Sequence, residues 1–300
     1  MSGFSLEAAA KEIAEKSEVR PMSEVDTSFE PRKERADEIF KKVFEQAIQE
    51  AHEKPVGAHF EIREGKICAF DDNGNLFMVN GELQPNTTYE LNGNVYRTDS
   101  KGRIVSCEAS PHRTPENGRD QAAQNEVGGP DRKEGDQGGH IVSRDLGGDA
   151  GTGNLTAMDS KINQSDYKRM ENDIKKSLDN GNEVTTKTEL SYSGDSQRPD
   201  TITVSVSENG NKKADYTFDN NLDGSLMDKV KEVGSENDVK TVESVKNDVK
   251  GEVSSIKQEY GEDGFPTKTT ITITYTDENG NHRIPVVINH TDDRPKGGNI

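Results

Sequence analysis

From about residue 57 the chain adopts a two-residue rhythm. Short apolar and polar alternations (HFEIREGKICAF, LFMVNGEL, TYELNGNVYRT and SKGRIVSCEA) are separated by Asp-Asn-Gly and Asn-Gly turn signals. A period of two sends successive side chains to opposite faces of a strand, and Asn-Gly reverses a chain within two residues. Residues 56–109 are therefore predicted to form an antiparallel β-meander. The same pattern returns at 183–192, 200–207 and 212–218, where three more strands are expected.

Between and around these strands the pattern changes. Residues 5–16 and 33–53 are rich in Ala, Glu and Lys, with apolar residues at helical intervals (Phe40, Val43, Phe44, Ala47, Ile48, Ala51), which predicts two helices forming an appendage over 1–55. Residues 111–138 hold Pro, Gly and charge with almost nothing apolar, and predict a long polar loop. Ile141 and Val142, a glycine-rich turn and a helix of about 165–178 come next. Asn163, Ser165 or Asp166 stands near the start of that helix and Asp179-Asn180-Gly181 ends it. The last 80 residues echo the preceding ones: RPDTITVSVSENGNK (198–212) resembles FPTKTTITITYTDENGNH (265–282), and a helical stretch precedes each, the second over about 226–258. A partial duplication and a chance likeness of two β-rich hairpins both fit. The expected class is α+β: a main domain over 56–220, in which a twisted antiparallel sheet carries the 165–178 helix, and a helix-plus-hairpin extension over 221–300.

Composition limits what this fold can do. Hydrophobic residues make up 29%, charged residues 31%, and Trp is absent, which predicts a compact middle with looser flanks. No run approaches the roughly 18 apolar residues of a membrane span, and the opening segment lacks the apolar core of a cleaved signal, so no membrane association is expected. Cys68 and Cys107 stand 39 apart without metal-ligand spacing and are expected to be free, buried thiols. A net charge of −18 argues against a polyanionic partner. That acidity is uneven, however: residues 1–95 carry −8, 96–200 only −4 and 201–300 −6. A divalent cation and a few arginines can offset the middle.

The chemistry is concentrated in GDQGGHIVSRDLGGDAGTGNLTAMDSKINQSDYKRMENDIKKSL, residues 135–178. A His at the end of a strand, an Asn opening a helix after a Gly-rich turn, and a Glu eight residues later are reproduced by His140, Asn163 and Glu171. This combination, with the wording of NLTAMDSKINQSDYKRME, resembles the DNA/RNA non-specific endonucleases, and in particular the branch found as toxin domains in bacterial competition systems. The similarity runs from YRTDSKGRI at Tyr96 to YSGDSQRPD at 192–200. It implies a ββα-metal core over 135–180 and hydrolysis of DNA, with RNA left open. It also implies one Mg²⁺, with Mn²⁺ able to substitute, held by Asn163 as the only direct protein ligand.

The residue types suit that implication. A neutral imidazole is available at neutral pH to deprotonate water, which fits His140 as general base. Mg²⁺ takes few protein ligands and keeps its waters, so one amide oxygen suffices. Asn163, Tyr167 and Glu171 at i, i+4 and i+8 drift slowly round one side of a helix, bringing Glu171 towards the ion's hydration shell. Without the upstream His, an N-cap at Asn163 and a solvated Glu171 would be the simpler account.

One departure stands out. Many members carry Asp-Arg-Gly-His where this chain has Gln137-Gly138-Gly139-His140, so the phosphate-stabilising cation must come from elsewhere. Arg144 and Arg119 are the candidates. Gly138 and Gly139 are expected to let the backbone approach substrate, and Asn154 to orient His140 or its loop, or simply to hold the turn. The resemblance further implies secretion without a classical signal peptide, although a cytoplasmic protein would read the same, and a cognate immunity protein as partner. The alternative function is a catalytically inactive, nuclease-like module that binds protein through its acidic hairpins at 200–218 and 269–290. A His-Asn-His nuclease would need a further metal-binding His in the helix, where this chain has Asn163.

Overall fold

Four two-residue reversals, Glu64-Gly65, Asn80-Gly81, Asn92-Gly93 and Asn209-Gly210, hold both residues at positive φ between 51° and 84°. That is the geometry whose twist matches the strands it joins. In the computed structural model, which describes residues 58–115 and 120–290, these turns organise two large antiparallel sheets. The two helices expected in 1–55 lie outside the described residues.

The first sheet holds β1 (His59–Arg63), β2 (Lys66–Phe70), β3 (Leu76–Val79) and β4 (Glu82–Leu83) in sequence order. The expected meander then divides, because β5 (Thr88–Leu91), β6 (Asn94–Thr98) and β7 (Ile104–Ala109) belong to the second sheet. Packing is the reason: Phe77 of β3 stacks on Tyr89 of β5 at 4.7 Å and Tyr89 on Tyr96 at 5.2 Å, which makes the two sheets the walls of one aromatic core. Cys68 and Cys107 are buried free thiols in these walls.

The second sheet has nine strands, in the order β15 (Gly280–Asn289), β14 (Pro266–Asp277), β13 (Glu252–Tyr260), β12 (Asn211–Asp219), β11 (Thr201–Glu208), β10 (Val184–Ser191), β7, β6 and β5. Its centre, β10 (Val184–Ser191), β11 (Thr201–Glu208) and β12 (Asn211–Asp219), follows the predicted strands to within a residue or two. Helix α2 (Lys168–Asp179) buries Met170 and Ile174 against Val204, Val206 and Phe218 of these strands. It ends at Asn180-Gly181, as expected. A π-helical turn, Ile162–Tyr167, precedes it.

Two expectations need correction. The segment 111–138 is not all loop: Asp120 caps a short helix, α1 (Gln121–Glu126), by accepting from Ala123 N at 3.0 Å. Six residues with one apolar contact leave no period to detect. The helix expected over 226–258 is instead α3 (Met227–Val233) and α4 (Glu236–Val249), followed by strand β13 (Glu252–Tyr260). A capping box between Ser235 and Asp238 restarts the helix after Gly234, and Lys250 at φ 52° stops it.

β13, β14 (Pro266–Asp277) and β15 (Gly280–Asn289) extend the second sheet by pairing β13 with β12. The echoed segments are the hairpins β11–β12 and β14–β15, the first closing a unit of one helix and three strands, the second a unit of two helices and three strands. Strand alternation places the two helical layers on opposite faces: α2 covers the Tyr216 and Lys257 side, and α3 with α4 covers Ile256, Ile271 and Ile273. Among the described residues no helix is long and apolar enough to cross a membrane.

The remaining strands, β8 (Asp136–His140) and β9 (Leu155–Asp159), form a separate two-stranded ribbon, Asp136 opposite Asp159 and His140 opposite Leu155. Buried polar groups fasten it to the large sheet. Arg198 grips Asp136 through Nε (2.6 Å) and Nη2 (2.9 Å), with side-chain exposures of 3% and 1%. Asn220 accepts from Asp159 N at 2.8 Å and donates to Ala157 O at 3.0 Å and to Pro199 O at 2.8 Å. Arg198→Leu is expected to cost about 3–5 kcal/mol in denaturant unfolding, because it strands a buried carboxylate; unchanged stability would contradict this anchoring.

Candidate active site

His140 ends β8 at the mouth of a cleft of about 560 Å³ that is also lined by Ser143, Arg144, Asn163, Lys168 and Glu171. The chain beyond His140 is fixed by buried groups. Ile141 N donates to Asn154 O at 2.9 Å, and Tyr167 hydroxyl donates to Ile141 O at 2.7 Å. Asn154 uses both ends of its amide: Oδ1 accepts from Tyr96 hydroxyl and Val142 N, each at 2.9 Å, and Nδ2 donates to Val142 O (2.8 Å) and Asp149 O (2.7 Å). These contacts hold both the Gly-rich turn and the chain just beyond His140.

The glycines also find their roles. A Cβ at Gly138 would lie 2.5 Å from Gln124 Cα, and one at Gly139 2.8 Å from Met158 Cε. These two glycines admit α1 and a core side chain, and Gly138 also lines the cleft. A Cβ at Gly148 would stand 1.8 Å from Val142 O, so the turn leading to Asn154 excludes any side chain there.

Asn163 sits in the π-turn, a widened turn that recurs at functional positions. Its Nδ2 donates to Gln137 Oε1 at 2.8 Å, so Oδ1 is the atom it has to offer a cation. Glu171 is buried one turn into α2. Burial raises its pKa, against the attraction of Lys168, whose Nζ is 3.2 Å away. Burial alone would lower the Lys168 pKa, but Glu171 lifts it above the usual lysine value. Burial likewise pushes Asp145 up, yet hydrogen bonds from Lys175 and Ser143 outweigh it and hold the carboxyl below its ordinary range.

His140, Asn163, Glu171 and Arg144 thus share one cleft, with Arg144 buried in a 3-10 turn at its wall. Arg119 lies outside the described residues. Arg132 also lines the cleft, but its guanidinium donates to Gln124 O, Val127 O and Asp136 O and is spent on structure. Sequence reasoning missed Gln137, Lys168 and the amides of α1 (Gln121, Gln124, Asn125). Only Lys168 left a signal, its i,i+3 spacing to Glu171. Among the described residues no three His, Cys, Asp or Glu side chains gather to hold a metal.

A strand-end histidine, a helix-opening amide and a buried carboxylate around a polar cleft suit a phosphodiesterase centre. Residues 85–210 match the family model described as DNA/RNA non-specific endonuclease. Over 138 residues, 44% of this chain, the protein is 36% identical to the type VII secretion system protein EssD of Staphylococcus aureus, in strains USA300, NCTC 8325 / PS 47 and Newman. The match covers 22% of those proteins, so the chain spans about a fifth of the length of these curated relatives.

The Glu171 environment has a measurable sign. Because burial raises its folded pKa above the ordinary 4.5, protonated Glu171 supports the fold below about 4.5, and this contribution is lost as pH rises through the folded value. Glu171→Gln is therefore expected to melt higher than the parent at neutral pH, with the difference closing below pH 4.5. A variant that melts lower at neutral pH would refute the burial argument.

Proposed function

We propose that the chain is a divalent-cation-dependent endonuclease that hydrolyses phosphodiester bonds of DNA, with RNA left open, and with little sequence preference. The observation that carries this reading is that His140, Asn163 and Glu171, scattered over 135–178, line one cleft. The β8–β9 ribbon followed by the π-turn and α2 is read as the ββα-metal core.

The donor set fits a hard cation: an amide oxygen whose nitrogen is engaged elsewhere, with a carboxylate within the same cleft. Asn163 would hold Mg²⁺ or Mn²⁺, with Glu171 in its outer sphere. When bound, the cation neutralises charge on the scissile phosphate and the leaving oxygen. His140 takes the proton of the attacking water. Arg144 meets the phosphate's developing charge in place of the arginine this chain lacks, and Lys168, already beside the carboxylate, adds a second positive group. The match to a type VII secretion system protein supports release from the producing cell; action as an antibacterial toxin, and a cognate immunity protein that protects the producer, follow from the family resemblance.

His140→Ala is expected to slow plasmid degradation in Mg²⁺ by about 10²–10⁴-fold with an unchanged circular-dichroism spectrum, the range for loss of a positioned base. Full activity in that variant would end the assignment. Binding of duplex DNA by the same variant in metal-free buffer is expected to fall with salt at a log–log slope of about −2, since the cleft offers two cationic groups to phosphate. A slope several times steeper would locate the main contact surface elsewhere.

A further inference from the structure

We infer that Gln137 is a positioning residue for the cation: its side-chain oxygen fixes the Asn163 amide so that the amide oxygen, not the nitrogen, faces the cleft. The inference rests on the reading of Asn163 as the ligand. An asparagine amide rotates about a broad, nearly two-fold torsion, and in one of its two orientations it presents an NH₂ that repels a cation. A site with several carboxylates tolerates that loss. A site with one neutral protein ligand does not.

The structure supplies the constraint. Asn163 Nδ2 donates to Gln137 Oε1 at 2.8 Å, between residues 26 apart in sequence, and both side chains line the cleft. The pairing also links the two halves of the centre, since Gln137 stands on β8 three residues before His140 and Asn163 on the π-turn. A hydrogen bond donated by the amide nitrogen polarises the amide and makes its oxygen a better electron-pair donor to a cation, as outer-shell partners do for ligating groups. Gln137 occupies the place of the aspartate in Asp-Arg-Gly-His, so the strand presents a neutral amide to Asn163 where many relatives present a carboxylate.

The test uses the full chain with turnover blocked by His140→Ala and a duplex oligonucleotide present, measuring Mn²⁺ binding from the electron paramagnetic resonance signal of the free ion. Gln137→Leu, or Gln137→Met should the first variant not fold, is expected to weaken Mn²⁺ binding 10–100-fold. Gln137→Glu, which keeps an acceptor oxygen, should bind at least as tightly as the parent. In the active chain, Gln137→Leu should raise the half-saturating Mg²⁺ by a similar factor while the rate at saturating Mg²⁺ stays within about threefold, a split that a merely structural residue would not produce. Parent-like Mn²⁺ binding in Gln137→Leu and Gln137→Met, with Asn163→Ala weakened, overturns the role of Gln137 alone. Undiminished binding in Asn163→Ala overturns the reading of the site, and this inference with it.

Discussion

Asp136 and Arg198 are held together because neither can be left alone in the place it occupies: both side chains are almost wholly out of water. A two-stranded ribbon has too little surface to be stable by itself, and β8–β9 carries a proposed catalytic residue at its tip. The ribbon is therefore tied at both strands by polar groups, Arg198 to β8 and Asn220 to β9, alongside the burial of Leu155, Ala157 and Met158 of β9. This fixes where His140 stands relative to the sheet. Fully satisfied buried polar pairs specify geometry more than they add stability, and orientation is what a proton-transfer site requires.

On the opposite side of the cleft, positioning falls to α2 and the π-turn. Hydrophobic packing of Ile162, Tyr167, Met170 and Ile174 sets the helix on the sheet. Polar residues then tune it: Tyr167 both packs in that core and donates to the carbonyl after His140, so one side chain couples helix to ribbon. The carboxylate of Glu171 is kept in an unfavourable buried setting, relieved only in part by Lys168. Such a group is costly to the fold, and its retention is consistent with a task in chemistry.

Much of this was legible in the sequence. The Asn-Gly reversals and two-residue alternation marked β5–β7 and β10–β12, and the order His140, Asn163, Glu171 pointed to one centre that packing does bring into one cleft. What could not be read depends on contacts distant in sequence. The division of the meander follows from Phe77 meeting Tyr89 across a strand reversal, and the roles of Gly138 and Gly139 follow from the approach of Gln124 and Met158. Helix α1 is too short to show a period. The run 226–258 looked continuous because Lys, Val and Glu suit both helix and strand; the stop lies in the left-handed backbone of Lys250, which composition does not announce.

The C-terminal strands read as an addition, yet they reach the π-turn. Asp166, buried beside Asn163 in sequence, is bonded by the Ser254 hydroxyl at 2.7 Å and paired with Arg283, residues of β13 and β15 far beyond the family's span. The extension is thus part of the scaffold that shapes the cleft. A joint placed where the family match ends, after residue 210, would leave the buried Asp166 carboxylate without its Arg283 counter-charge.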